Sequence, residues 1–280
     1  MLVAIALHGG IVTFAWALVA ATAIGLVPPI AITLRTAGLV LPHVDRRRWR
    51  RLLADSAPLG AAMLCTAVYY YADSLMLGAF GQRVALARYN AAYVFVMAVV
   101  LIISAVRNAF VPAQSRAFAG ETATSPVLSA YFRVTAALAL PMLIVAPVAA
   151  PLVLHIAYGE SYVAAAPALR ILFMTTGVMF LSSYFGSNLL VSGRQRVYLV
   201  ATAVGAAVNV ALNIALIPMY SIVGASIATL AAESAVCAFL AYQNRRWPIP
   251  PLVPAIAAPL GASAAVAVAS FVTLRTLGLT

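Results

Sequence analysis

Residues 57–79 read APLGAAMLCTAVYYYADSLMLGA, an apolar run long enough to cross a hydrocarbon layer as a helix, interrupted by one carboxylate, Asp73. A carboxylate at bilayer depth is costly, so it faces a protein-lined cavity or a partner charge rather than lipid. Glu233 repeats the situation in a second apolar run, residues 222–242. The chain holds only six acidic residues, which makes these two the first candidates for chemistry.

The rest of the chain has the same character. It is 65% apolar and 8% charged, with a mean hydropathy of +1.04, and cannot be solvated as one soluble globule. Span-length apolar segments recur near 11–34, 57–79, 87–108, 130–155, 164–190, 197–218, 222–242 and 251–275. The expected fold is therefore an all-α, polytopic transmembrane helix bundle of about eight spans. Residues 1–8 lack the charged start of a secretory signal, and Gly9 and Gly10 separate them from the next run. They read as the tail of a span whose beginning is missing. Cys65 and Cys237 sit inside predicted helices as small buried hydrophobes, and no disulfide framework, metal site or cofactor is expected.

All 17 basic residues are arginine, giving a net charge of +11. Arg35, Arg46, Arg47, Arg48, Arg50 and Arg51, then Arg107, Arg116 and Arg133, then Arg194 and Arg196, then Arg245 and Arg246 cluster at alternate ends of successive spans. The positive-inside rule assigns those ends to the cytoplasm and both chain termini to the other side. The basic charge is dispersed among short loops, which argues against a nucleic-acid surface. Residues 35–56 form the one clear linker. Within it, DRRRWRRLLAD suits a short amphipathic helix with Trp49, Leu52 and Leu53 toward lipid headgroups. Its basic cluster serves as a topology signal and attracts any anionic leaflet. Residues 112–128, bounded by Pro112, Gly120 and Pro126, form the second polar loop.

Helical spacing gathers the polar residues into stripes. Thr66, Tyr69, Tyr70 and Asp73 share one face, as do Ser226, Thr229, Glu233 and Cys237. Gly205, Asn209 and Asn213 form a third stripe, and Asn90, Tyr93, Met97, Ser104 and Asn108 a fourth. Each stripe also has a plain explanation as helix-to-helix packing, since small and hydrogen-bonding residues join membrane helices. With ~1.5 Å of rise per residue, Asp73 and Arg170 both lie ~9 Å from their outer helix ends. An ion pair of Asp73 with Arg170 or Arg88 is one account of that carboxylate. Glu233 lies ~16 Å deep by the same rise, where no arginine matches it. A lone carboxyl there suits proton coupling as well as a quiet hydrogen bond.

Several segments carry a resemblance. SAPLGAAMLCTAVYYYADSLMLGAFG, ARYNAAYVF, VPAQSRAF, IAYGESYVAAAPALRIL and VNVALNIALIPMYSIVGASIATL occur in this order between residues 55 and 245. Together they resemble the second lobe of the polysaccharide flippases of the multidrug/oligosaccharidyl-lipid/polysaccharide exporter superfamily. The resemblance implies two six-helix lobes around a cavity worked by alternating access, with polyprenyl-diphosphate-linked oligosaccharide as substrate at the inner membrane. On this reading residues 1–34 are the end of a truncated first lobe, 35–56 a cytoplasmic basic linker, 57–243 a six-helix second lobe and 244–280 an additional helix. Expected partners are the lipid-linked oligosaccharide, membrane lipids and a coupling proton or sodium ion.

The cavity face of this lobe is expected to carry Asp73, Arg170 and Glu233, with Arg88 and Tyr93 at its outer mouth. Arginine suits a diphosphate because its planar fork grips phosphate oxygens in pairs. Two rival readings are a cation-coupled drug exporter of the same superfamily and a membrane-embedded glycosyltransferase or polymerase. The enzyme reading suffers because Asp45, Asp55, Glu121 and Glu160 are widely separated and no nucleophile elbow or phosphate-cradling loop is present.

Overall fold

A computed structural model describes residues 11–37, 45–120 and 124–247 together with Gly261, Ser263 and Arg275. The chain divides into two compact units, Met1–Leu53 and Ala54–Thr280. The predicted span at 251–275 lies outside the described residues except at those three positions.

In the first unit, α1 spans Ile11–Ala37 and continues unbroken through Pro28 and Pro29. It is apolar around its whole circumference. Its threonines fold their hydroxyls back onto backbone carbonyls, with Thr22, Thr33 and Thr36 reaching Val19, Pro29 and Ile32 at 2.8 Å each. Even its polar residues thus present little to a solvent of lipid.

Helix α2 begins at Arg46 and continues to Ala79. The basic stretch predicted as a separate short helix within a linker is therefore the first turns of the membrane helix itself. Asp45 starts it, its Oδ1 accepting the Arg47 N–H at 2.9 Å, with the Arg48 guanidinium 3.6 Å from its other oxygen. Pro58 is accommodated inside the helix.

The second unit continues with α3 (Arg83–Phe118), α4 (Thr124–Tyr158), a short 3-10 helix (Glu160–Ala165), α5 (Ala166–Val191) and α6 (Gln195–Asn244). The polar loop expected over 112–128 is much shorter, because α3 runs past Pro112 to Phe118. Hydropathy marks only the part of a helix inside hydrocarbon. At ~1.5 Å per residue α3 is ~54 Å long, well beyond a ~30 Å core. Two turns end in the same device. Gly81 and Gly193 adopt φ of 73° and 75°, and the N–H groups of each glycine and its successor return to the last helical carbonyls, closing α2 and α5.

Helix α6 is 50 residues long, too long for one crossing, and breaks at Ser221, whose φ of 51° and ψ of −129° are non-helical. The Ser221 hydroxyl donates to Gln82 Oε1. A Cβ on Gly224 would collide with the Leu216 carbonyl, and one on Gly205 with the Val236 side chain. These two close approaches pair residues 195–220 (α6a) with 222–244 (α6b) as an antiparallel hairpin, and glycine permits the tight return. Counting α6 as two crossings gives seven among the described residues, matching the first seven predicted spans.

Helix α5 is the central rod. In its membrane window 61% of residues are buried, against 11 to 33% in α2, α3, α4 and α6. It packs on α3, α4 and α6. Leu169, Leu172, Leu154 and Ile217 anchor one core cluster, while Tyr131, Tyr184, Leu189 and Leu240 anchor another. The described residues form a multi-pass, all-α membrane fold with largely apolar outer faces; Asp73, Asn209, Asn213 and Glu233 are buried inside, whereas Asn90 and Asn108 of the fourth stripe are exposed.

Candidate functional site

Asp73 is completely buried where α2, α3, α6a and α6b converge. Tyr89 donates to its Oδ2 at 2.5 Å and Thr229 to the same oxygen at 2.6 Å. Asn213 and Asn209 donate to Oδ1 at 2.5 and 3.3 Å, and Asn213 also donates to Asn209 Oδ1 at 3.0 Å. Four neutral donors thus surround one carboxylate, and no ion pair reaches it among the described residues. Asn213 Oδ1 and the Tyr93 hydroxyl are buried beside this cluster with no hydrogen-bond partner. The Tyr93 ring stacks on Tyr89 at 5.6 Å.

Nearer the arginine-rich end, a cavity of about 120 Å³ opens between α2, α3, α5, α6a and α6b. A water occupies roughly 10–15 Å³ on such a measure, so the space holds several waters or a phosphate-sized group, not an oligosaccharide. At its deep end the Tyr69 hydroxyl donates to Glu233 Oε2 at 3.0 Å. Tyr70, Tyr198, Ser104, Ser183, Ser187 and Thr202 add polar lining. Arg107 lines the same cavity and is half-buried, with no ion pair among the described residues. It lies ~36 Å along α3 from Arg83 by helical rise, a span longer than a ~30 Å hydrocarbon core is thick.

Beyond the cavity, a buried amide network joins three helices. Ser187 donates to Gln114 Oε1 at 2.7 Å, and Gln114 to Asn188 Oδ1 at 2.6 Å. Asn188 donates to Asn244 Oδ1 at 3.2 Å, and Asn244 to the carbonyls of Phe185 and Leu240 at 3.1 and 2.8 Å.

The structure brings together only part of the sequence-predicted set. Asp73 and Glu233 occupy adjacent levels of α2 and α6b, and Glu233 lines the cavity while Asp73 sits apart in its own cluster. Tyr93 lies in the Asp73 layer rather than at an open mouth. Arg170 is exposed on α5 and Arg88 half-buried on α3, and neither pairs with Asp73. The ion pairs considered from depth alone are absent because neutral donors already fill both carboxylate oxygens. Arg170 stands just one turn inside α5, where its long stem can carry the charge out to water.

Sequence reasoning assigned Arg107 to topology alone. Its spacing three residues after Ser104 on the fourth stripe was the available signal. The α5 hydroxyls at Ser182, Ser183 and Ser187 also line the cavity, and the signal for them was the four-residue spacing of Ser183 and Ser187, which puts both on one face.

The fold is similar to half of two solved transporters of the MOP superfamily. One similar solved structure is an outward-facing multidrug resistance MATE family transporter of that superfamily, with a TM-score of 0.61 and 18% identity. Another, with the same score and identity, is a MOP superfamily transporter from Pyrococcus furiosus, described as having a binding pocket of reverse polarity. In each case the match covers 74% of this chain and 50% of the other, so the chain spans about half the length of the structures it matches. A family model described as Polysaccharide biosynthesis protein matches residues 1–118, in line with the polysaccharide exporter-like resemblance of the sequence. No curated protein matches the sequence.

Proposed function

We propose that this chain supplies one lobe of a flippase that turns a polyprenyl-diphosphate-linked oligosaccharide from the cytoplasmic to the outer leaflet of the inner membrane, for surface polysaccharide synthesis. The arginine-rich helix ends lie in the cytoplasm on this reading. The observation that carries it is Arg107, an arginine without an ion pair among the described residues that lines a hydroxyl-rich cavity near the arginine-rich helix ends. On this reading those ends meet the headgroups, where a lipid-linked phosphate lies, and the guanidinium fork matches phosphate oxygens. The tyrosines and serines behind it suit sugar hydroxyls. The cavity's small volume fits the phosphate and its first contacts, leaving the rest of the saccharide to a larger space shared with a second lobe.

Asp73 is the coupling site on this reading. Its carboxylate is held by four neutral donors, and the coupled species is a proton, or a sodium ion for which the asparagine amides would have to turn their oxygens inward. A second reading, a cation-coupled drug exporter, draws on the buried carboxylates Asp73 and Glu233 and on the multidrug transporter among the similar folds. Binding of a lipid-linked oligosaccharide and of an organic cation to the purified chain separates the two. Saccharide-lipid binding weakened at least about tenfold by Arg107→Gln supports the flippase, a change of ~1.4 kcal/mol. Organic-cation binding abolished by Glu233→Gln, with no saccharide-lipid binding, supports the exporter.

A further inference from the structure

The two buried carboxylates are joined by a pair of rungs between the same two helices. On α2, Tyr69 and Asp73 are four residues apart and so lie one turn apart on one face. On α6b, Thr229 and Glu233 have the same spacing. The rungs run Asp73 to Thr229 at 2.6 Å and Tyr69 to Glu233 at 3.0 Å. They are tied to each other as well, because the Tyr69 hydroxyl lies 3.3 Å from the Thr229 carbonyl. Each connecting hydroxyl has one proton and two acceptors in reach. Tyr69 chooses between Glu233 and the Thr229 carbonyl, and Thr229 chooses between Asp73 and the Ala225 carbonyl at 2.9 Å.

We propose that the Tyr69 hydroxyl is the positioning group that links the Asp73 cluster to the cavity, so that a change of charge at Asp73 is transmitted to Glu233. The inference deepens the flippase reading and rests on it for its purpose, coupling an ion site to a substrate site. The linkage itself concerns only the two carboxylates. When Asp73 loses its negative charge, by protonation or by a bound cation, the Thr229 proton is free to return to Ala225 and the first rung slackens. The second rung, one turn away on the same helices, then loses its register, and Glu233 loses Tyr69 as a donor, with Ser182 of α5 still beside it. Hydrogen-bonded residues in one network couple by roughly 0.5–3 kcal/mol, enough to bias a two-state element.

Other groups face these carboxylates. Tyr70 from α2, Arg107 from α3, Tyr198 from α6a and Cys237 from α6b stand around Glu233 at the cavity, and Tyr89 and Tyr93 from α3 stand around Asp73. Direct through-space repulsion between the two carboxylates is the competing route, and it does not require Tyr69.

Infrared spectroscopy of the purified full chain distinguishes the routes. The carboxyl band of Glu233, identified by its loss in Glu233→Gln, is titrated with pH in the wild type and in Asp73→Asn. The expected result is a midpoint moved by about half a pH unit or more between the two, as follows from the coupling range above. In a Tyr69→Phe background, which keeps the ring and removes only the hydroxyl, that difference should collapse. Thr229→Val should also collapse it, and Thr229→Ser should retain it. A difference that survives Tyr69→Phe overturns the proposal in favour of through-space coupling. No effect of Asp73→Asn on the midpoint or position of the Glu233 band overturns it as well. Loss of saccharide-lipid binding or of sodium response bears on the flippase reading alone, since neither enters this measurement.

Discussion

Asn213 on α6a reaches Asp73 on α2 over 2.5 Å, although the two residues are 140 positions apart in sequence. The same amide also donates to Asn209 at 3.0 Å, so one side chain ties the hairpin to α2. Asn213→Leu should destabilise the protein by about 1.5–3 kcal/mol, the range for losing a hydrogen bond to a charged group. Thermal unfolding in detergent measures it. Asp73→Leu should cost more, because it leaves Tyr89, Asn209, Asn213 and Thr229 without their common acceptor.

The hairpin in α6 gives a second expectation. A Cβ at position 224 meets the Leu216 backbone, which cannot swing away as a side chain can. Gly224→Ala should therefore cost several times what Gly205→Ala does, where only the Val236 side chain is in the way. Gly60→Ala is the control. It meets nothing within 4 Å and lies in mid-helix, so it should stabilise by roughly 0.5–1 kcal/mol. Unfolding midpoints of the three variants provide the comparison.

Much of this was legible in the primary structure. Apolar run length located the seven helical crossings, and the glycine-asparagine stripe pointed inward as helical spacing requires. The facing of α2 and α6b was not legible, because helical spacing shows which residues share a face and never which helix that face meets. Depth likewise matched Asp73 with Arg170, yet Arg170 is exposed next to the buried Leu169 and makes no ion pair with Asp73. Arg107 was hidden by its neighbours in composition, one arginine among many at the same membrane level.

The two arginines should accordingly separate in function. Arg107→Gln should lower transport at least about tenfold in a reconstituted flipping assay while leaving the unfolding temperature nearly unchanged, since it makes no ion pair among the described residues. Arg170→Gln should have little effect on either quantity.

At the arginine-rich end, Asn244→Leu removes an acceptor from Asn188 and a donor from the Phe185 carbonyl. A loss of about 1–3 kcal/mol per stranded group is expected. Because Gln114 belongs to the same chain of bonds through Asn188, the double variant with Gln114→Leu should fall short of the sum of the singles by at least about 0.5 kcal/mol. A double-mutant cycle on unfolding free energy checks this.

The most direct test of the cavity's role uses a single thiol at Ser104, which lines it beside Arg107. With Cys65 and Cys237 replaced by alanine, Ser104→Cys should react with a membrane-impermeant thiol reagent added from the arginine-rich side. A polyprenyl-diphosphate-linked oligosaccharide should protect it, and protection should be lost on adding Arg107→Gln. Failure of the lipid-linked saccharide to protect, with protection by an organic cation instead, would contradict the flippase account.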